Sequence, residues 1–563
     1  MTFARSKNGI SSLRSGYSAE HDGIRSVSVT SFEGGTGTDG CYLENMIACD
    51  GALKCVSAPV TASSSLTSDA SHAVTFTNGG ELYFIAGGKV CRISNHGLVT
   101  LLSDALSSGG TFYKYGDSLL VTDAVSVLDV TGICREQTPT VPLVAVDCDS
   151  AGLTFTPAQE ENLLTKEADV RFAVSDGFTR TVPRTLSVDE VISVKGRYGT
   201  LSSSAYSVNV LDGVATVTLS EASDEELTVR VRLSATHLAS RTGALRALAG
   251  SGVLYQVGGD LLLGRYSKKL YRFKILGAAY ISSDVTTLDT GEEITALLPY
   301  EDGWFVFSEG SVKRLSADAD NMRLYPFQSD FGCDMPYSAV SDKDKIIFGN
   351  SVRGIFYIDR YDVTDKDVSR RVSAAVTDEI TKTSSNVRLA CAAVADGKYH
   401  LLVGGKLLSL DLTKKHPSAS PYGEDEERRL VWSITTVTGA SALVGAGGGR
   451  LWMIGADGVK FVTGAPGDTA LRGKYVSPRL APKDFSRKAL CELRVSASVS
   501  GTAKLGIYCD GEETPYEYTI YGTGSDCIYR MRLPARSFCG AVITAEGASF
   551  VLRGIELRYH TDV

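Results

Sequence analysis

The residues able to do chemistry are scattered. The seven histidines stand at positions 21, 72, 96, 237, 400, 416 and 560. No H-E-x-x-H pair, Walker loop or nucleophile elbow surrounds any candidate. His96 falls in a turn pattern, and His400 falls in a strand pattern and is expected to be packed. Gly445–Gly449 (GAGGG) is glycine-rich, but no Lys follows it and no helix opens after it. It reads as a tight turn and not as a phosphate cradle. Asp302-Gly303, Asp396-Gly397 and Asp457-Gly458 each carry a single acid, whereas a Ca²⁺ loop needs several at alternate positions. Asp318 and Asp320, in SADADN, come nearest to that spacing.

The 12 cysteines, at 41, 49, 55, 91, 134, 148, 333, 391, 491, 509, 527 and 539, contain no C-x-x-C pair. Most lie in strand patterns, such as Cys91 in VCRI and Cys391 in LACAAV. They are expected to be small buried thiols in a reducing compartment. Cys41, Cys49 and Cys55 cluster early, but no His accompanies them at ligand spacing. No catalytic residue, cofactor-binding residue or metal site is therefore expected, and the chain is not expected to be an enzyme.

The elements that would position such residues are short strands. Val74–Ser103 reads as four of them: Val74–Thr77, Leu82–Ile85, Val90–Ile93 and Leu98–Leu102. Asn78-Gly79-Gly80, Gly87-Gly88 and Asn95-His96-Gly97 separate them, because these residues accept positive φ cheaply. One such sheet cannot bury both its faces alone. The pattern recurs at 111–136, 248–275, 294–315, 337–359, 389–412 and 442–462, about seven copies in all. A radial array of such sheets is a β-propeller, of about six to eight blades and most simply seven. An open series of β-sandwiches is the alternative. Propeller enzymes place acids on the inner strands, and nothing ranks Glu81, Glu309 or Asp359 for such a role.

The rhythm breaks at Thr138-Pro139-Thr140-Val141-Pro142. Residues 143–238 then alternate apolar and polar, as in VATVTLS at 214–220 and LTVRVRL at 227–233. About 95 residues of this pattern fit an inserted β-sandwich. Gln159–Lys166 allows one or two helical turns, and Tyr361–Ser373 a helix or a ladder edge. Lys414–Arg429 reads as an exposed polar loop. From Asp468 onward about seven strands joined by glycine turns suggest a second sandwich or jelly roll. The expected domains are an N-terminal arm and opening strand (1–60), first blades (61–137), inserted sandwich (138–240), remaining blades (241–466) and C-terminal sandwich (467–563). Residues 1 to about 30 read as an irregular arm.

The net charge of −8 gives no general affinity for nucleic acid, although DNA could slide past a mildly acidic lumen. No apolar run is long enough to span a membrane as a helix. MTFARSKNGISSL lacks an apolar core of signal-peptide length, so the chain is expected to start in its producer's cytoplasm.

Two stretches carry a family resemblance. The opening runs through Glu44-Asn45-Met46 and Gly51-Ala52-Leu53 into the first blade, and the chain closes with FVLRGIELRY at 550–559. Both, and the layout of propeller, inserted sandwich and C-terminal sandwich, resemble bacteriophage tail nozzle, hub or tail-stabilization proteins. Glu44 directly precedes Asn45 without the family's two-residue gap, and Val56-Ser57-Ala58-Pro59 replaces its usual Arg-Pro-Gly. The resemblance implies a structural virion protein of the tail, assembled in the host cytoplasm as a homo-oligomeric ring, a hexamer in the family. Its partners would be adaptor and fibre proteins, with genome DNA passing through the channel without specific binding. The alternatives are a baseplate or tail-tip component of a long-tailed phage, a glycan-binding propeller (an adhesin) and a propeller enzyme such as a polysaccharide lyase. An adhesin would show clustered Trp and Tyr on one rim, and only 3 Trp are present, at 304, 432 and 452.

Overall fold

The computed structural model describes residues 24–29, 32, 36, 42–64, 73–106, 109–222, 224–300, 303–318, 321–342, 345–359, 369–373, 375–381, 387–413, 431–447, 450–455, 457–462, 470–481, 488–533 and 537–561. Lys414–Arg429 lies outside them. Two compact units divide the chain. One comprises Val74–Ile93 and Val99–Gly332, the other Met1–Ala73, Ser94–Leu98 and Cys333–Val563.

Both units are built of antiparallel meanders of four short strands, seven among the described residues. The first unit holds four. Meander 1 spans Val74–Asn78, Glu81–Ala86, Lys89–Ile93 and Val99–Ser103, and meander 2 runs from Thr111–Tyr115 to Arg135–Gln137. Meander 3 runs from Tyr255–Gly258 to Thr286–Asp289 with one short extra strand, and meander 4 from Ile294–Tyr300 to Met322–Gln328. Asn78-Gly79-Gly80 turns as expected, with φ of +60° and +81° at the glycines.

Strand alternation explains why the meanders come in series. In meander 2, Phe112, Leu119 and Val121 pack against Tyr83, Ile85 and Val90 of meander 1. Their chain neighbours Tyr113 and Leu120 point the other way, into a cluster with Leu262, Tyr271 and Phe273 of meander 3. Leu263 and Leu270 of meander 3 in turn meet Ile294, Trp304, Val306 and Leu315 of meander 4. Each inner sheet thus buries both faces, one residue parity per neighbour.

Trp304 is 7% exposed between meanders 3 and 4, and its indole N–H has no acceptor. Trp304→Ala is expected to cost about 3 kcal/mol, at the low end for a buried aromatic because an orphan donor leaves with it. Trp304→Phe should stay within about 1 kcal/mol of the parent by chemical denaturation. A large loss for Phe would mean that the N–H is bonded after all.

Between meanders 2 and 3 in the chain, residues 143–233 form a two-sheet body. A six-stranded sheet from Thr156–Pro157 to Gly199–Thr200 faces a three-stranded sheet of Thr179–Thr181, Val214–Leu219 and Tyr206–Leu211. Val170, Phe172, Val229 and Val231 of the first pack with Ala215, Val217 and Leu219 of the second. The chain then forms a helix, Thr242–Gly250, which replaces the start of the blade expected from residue 248. Its Ala244, Ala247 and Leu248, spaced three and four apart, bury one stripe against meander 3. Gln159–Lys166 is not helical. Asn162 instead starts a tight turn, with the Thr165 amide on its carbonyl, and its side chain donates to the Thr140 and Ala279 carbonyls and accepts from the Leu164 and Ile281 amides.

The second unit holds three meanders and a terminal sandwich. Meander 5 runs from Val340–Asp342 to Ser369–Arg371, so the described end of 361–373 is a ladder edge. Meander 6 runs from Cys391–Ala395 to Val431–Thr436, and Ile347, Ile355 and Tyr357 of meander 5 pack on its Tyr399, Leu408 and Trp432. Meander 7 has three strands of its own, Ala440–Gly447, Arg450–Gly455 and Gly458–Val462. Its fourth is Val60–Ser63, from the other end of the chain.

The terminal sandwich has fewer and longer strands than expected. Lys488–Cys509 is one strand of 22 residues and Tyr516–Arg532 one of 17. Gly501 adopts φ +91° inside the ladder, a conformation that the absent Cβ permits. Part of the expected N-terminal arm also belongs here. Ile24–Val29 is a strand paired along its length with Phe550–Thr561. Residues 1–23 lie outside the described chain.

Candidate functional site

Two polar networks stand out, one in each unit. The first is built on the opening motif. Tyr42–Glu44 pairs with Gly473–Val476 of the sandwich and touches meander 6 at Glu44 and Ile434. Asn45 then turns with φ +56° and is 7% exposed. Its side chain accepts from the Thr436 amide at 2.7 Å and donates to the Arg472 carbonyl at 2.9 Å. One amide thus ties meander 6 to the sandwich.

Around it, the Tyr42 hydroxyl donates to Glu44 at 2.6 Å, the Thr436 hydroxyl to Glu44 at 2.8 Å and Lys406 to Glu379 at 2.7 Å. Burial, with the Glu44 carboxylate beside it, pushes the Tyr42 phenol up to about 12. Burial also works against the charged form of Glu44. Hydrogen bonds from Tyr42 and Thr436, with Lys406 and Lys474 nearby, outweigh it and hold the carboxyl below its usual range. A cavity of about 330 Å³ beside Asn45 is lined by Thr436, Lys460 and Arg472. Both cations are engaged, Lys460 with Asp457 at 3.0 Å and Arg472 with Glu546 at 2.7 Å.

The second network joins the insert to meander 3. Glu161 accepts from His237 Nε2 at 3.0 Å and forms an ion pair with Arg241. Arg241, 5% exposed, also donates to the Asn162 and Thr165 carbonyls. Burial lowers the Arg241 guanidinium to about 10 and also lowers the His237 imidazole. A neutral His237 carrying its proton on Nε2 donates to the carboxylate, and Arg241 supplies the charge. Leu163 and Leu164, between these residues and inside the inserted segment, are buried in the cluster of meanders 2 and 3. Residues 143–238 therefore do not lift out as a closed piece, because part of the meander core leaves with them. A groove of about 410 Å³ runs along Phe155, Pro157, Glu160, Glu161 and Asp284. Glu160 there is paired with Lys274 at 2.7 Å.

Neither network offers a nucleophile with a base, and among the described residues no group of three His, Cys, Asp or Glu could hold a metal ion. Asp318 caps its own hairpin, accepting from the Asn321 amide at 2.7 Å, and Asp320 lies outside the described residues. Glu81 pairs with Arg92 at 3.6 Å. Glu309 accepts the Gly332 amide on its carbonyl in a turn, and the Asp359 side chain lies outside the described set. The described cysteines are free thiols. Cys41 and the Cys491 side chain lie outside them. Trp432 and Trp452 are fully buried and Trp304 nearly so.

His400 is buried, with Nδ1 2.7 Å from the Ser409 hydroxyl. Burial, reinforced by Lys398, lowers its imidazole to about 4. The folded value lies below the unfolded one, so the neutral form's stabilisation is complete above about pH 6.5 and is lost as pH falls toward 4, by about 3 kcal/mol. Melting temperature should fall over that window, and His400→Asn should flatten the fall. An unchanged slope in the variant would assign the acid sensitivity to other groups.

No family model matches the chain, and no curated protein matches it. Among solved structures, it is similar to PorZ, a surface component of the type-IX secretion system of Porphyromonas gingivalis. The TM-score is 0.33 at 9% identity over 81% of this chain, which spans 46% of that one. YCF48 bound to a D1 peptide gives 0.31 at 8% identity over 74% of this chain and 100% of that one. An exo-β-1,3-galactanase from Phanerochaete chrysosporium gives 0.20 at 8% identity over 88% and 99%. At these scores the similarities carry no argument about function. No described helix is long and apolar enough to cross a membrane.

Proposed function

We propose that the chain is a structural subunit of a bacteriophage tail, a nozzle or hub protein. In this reading the meanders form one seven-bladed propeller, and copies assemble head to tail as a closed ring around the DNA exit channel. Six copies follow from the family resemblance alone. The catalytic step is none; the work is mechanical, with propellers as a stiff wall and sandwiches as surfaces for neighbours, adaptor and fibres.

The observation that carries this reading is the meeting of the two stretches behind the resemblance. Met46, Leu53 and Cys55 of the opening share one core with Phe550, Leu552, Ile555, Leu557 and Tyr559 of the last strand. The two signatures are thus parts of a single body, stitched to meander 6 by Asn45. The buried Trp residues count against a glycan-binding rim. Electron microscopy of the purified chain and of particles that contain it tests the reading. Closed rings with a central channel are expected, and a single copy per particle would end it.

A further inference from the structure

The strand Tyr516–Arg532 pairs only with Lys488–Cys509 among the described residues, so its other edge is open over 17 residues. Long open edges are normally guarded by Lys, Pro or a covering loop. Here Thr519–Tyr529 contains no Lys, Arg or Pro. Its one charge, Asp526, is paired with Arg553 at 3.0 Å. Two large apolar side chains stand out on it, Tyr521 at 72% and Ile528 at 63% exposed.

The strand is nearly symmetric about its middle. A register shift falls where Asp526 and Thr523 face Ser498 and Ser500, and Gly524 adopts φ +93°. The two halves fold toward each other there, since the Tyr518 hydroxyl donates to the Arg532 carbonyl at 2.9 Å. The shift also reverses the parity. Glu517, Thr519, Tyr521 and Thr523 are exposed in the first half, and Asp526, Ile528, Arg530 and Arg532 in the second.

We propose that this edge pairs with the same edge of a second copy, antiparallel about a two-fold axis through the bend at Gly524-Ser525. Such an axis sets Tyr521 against Ile528 and Glu517 against Arg532, with Arg530 one exposed position away, and it does so twice. Glu517, Arg530 and Arg532 have no ion pair within the described chain. The acidic end of each edge therefore meets the basic end of the other. This charge complementarity selects a second copy over an unrelated strand. Backbone hydrogen bonds supply the adhesion, and the exposed side chains set the register. The contact is isologous and independent of the tail reading, whose ring needs a head-to-tail contact elsewhere.

Sedimentation velocity of the full chain at micromolar concentration tests it. The parent should dimerise, more weakly at high salt. Glu517→Arg and Arg532→Glu should each weaken association about tenfold or more, and the two together should restore it. Ile528→Lys should abolish it while leaving the melting curve unchanged. A monomeric parent overturns the proposal. So does association indifferent to both single reversals, or a double reversal no better than its parts. Rings that form regardless of these substitutions would leave the tail reading standing and remove this one.

Discussion

Asn45→Ala should cost about 4 to 6 kcal/mol. Two buried backbone groups, the Thr436 amide and the Arg472 carbonyl, lose their partner at once, at about 1 to 3 kcal/mol each. The residue must also hold φ +56°, where an alanine costs about 1 to 2 kcal/mol more. Asn45→Asp keeps the acceptor for Thr436 but sets a carboxylate against the Arg472 carbonyl, so it should recover only part. Asn45→Gly should relieve the backbone and still lose both bonds. Guanidinium titration with Trp fluorescence measures all three. Three variants within about 1 kcal/mol of the parent would show that the amide ties nothing. The loss should appear first as detachment of the sandwich from meander 6, seen as early amide exchange along Gly473–Val476.

Arg241→Ala should cost about 3 to 5 kcal/mol, because it leaves the half-buried Glu161 with only a neutral imidazole and strips two carbonyls of their donor. Glu161→Gln should cost less, since the amide still accepts from His237. In the double variant the two losses should fall well short of adding, because the stranded charge that makes the first expensive is gone. Additive losses would mean that the pair is not coupled. Since the pair sits where insert and meander 3 share core residues, its loss should also loosen Leu163 and Leu164.

What was legible from sequence follows the range of the interaction. Meander turns are local, and Asp396-Gly397 announces one through two residues that tolerate positive φ, +50° and +69° here. The break at Thr138–Pro142 is likewise local, and the next strand begins at Leu143. The helix Thr242–Gly250 was hidden because Gly243, Gly250 and Gly252 look like turn punctuation, while its apolar stripe is only three residues long. The strands Ile24–Val29 and Val60–Ser63 were illegible for another reason. Both are short, and each finds its partner hundreds of residues away, so no local pattern marks them. The same holds for the networks. Glu44, Asn45 and Met46 were singled out as a motif, yet nothing near them in sequence points to Thr436, Arg472 or Lys406. Glu161 and Arg241 carried no signal of their pairing.

Val60–Ser63 has a consequence for how the protein is born. Its partner Val459 leaves the ribosome about 400 residues after Ser63, and at roughly 5 to 20 residues per second that is a delay of about 20 to 80 s. Throughout it, Val60–Ser63 has no partner strand, while meanders 1 to 4 can already settle on one another. An early strand is thus completed late, and until Gly458–Val462 emerges it is a bare strand open to capture by a chaperone or by another nascent copy.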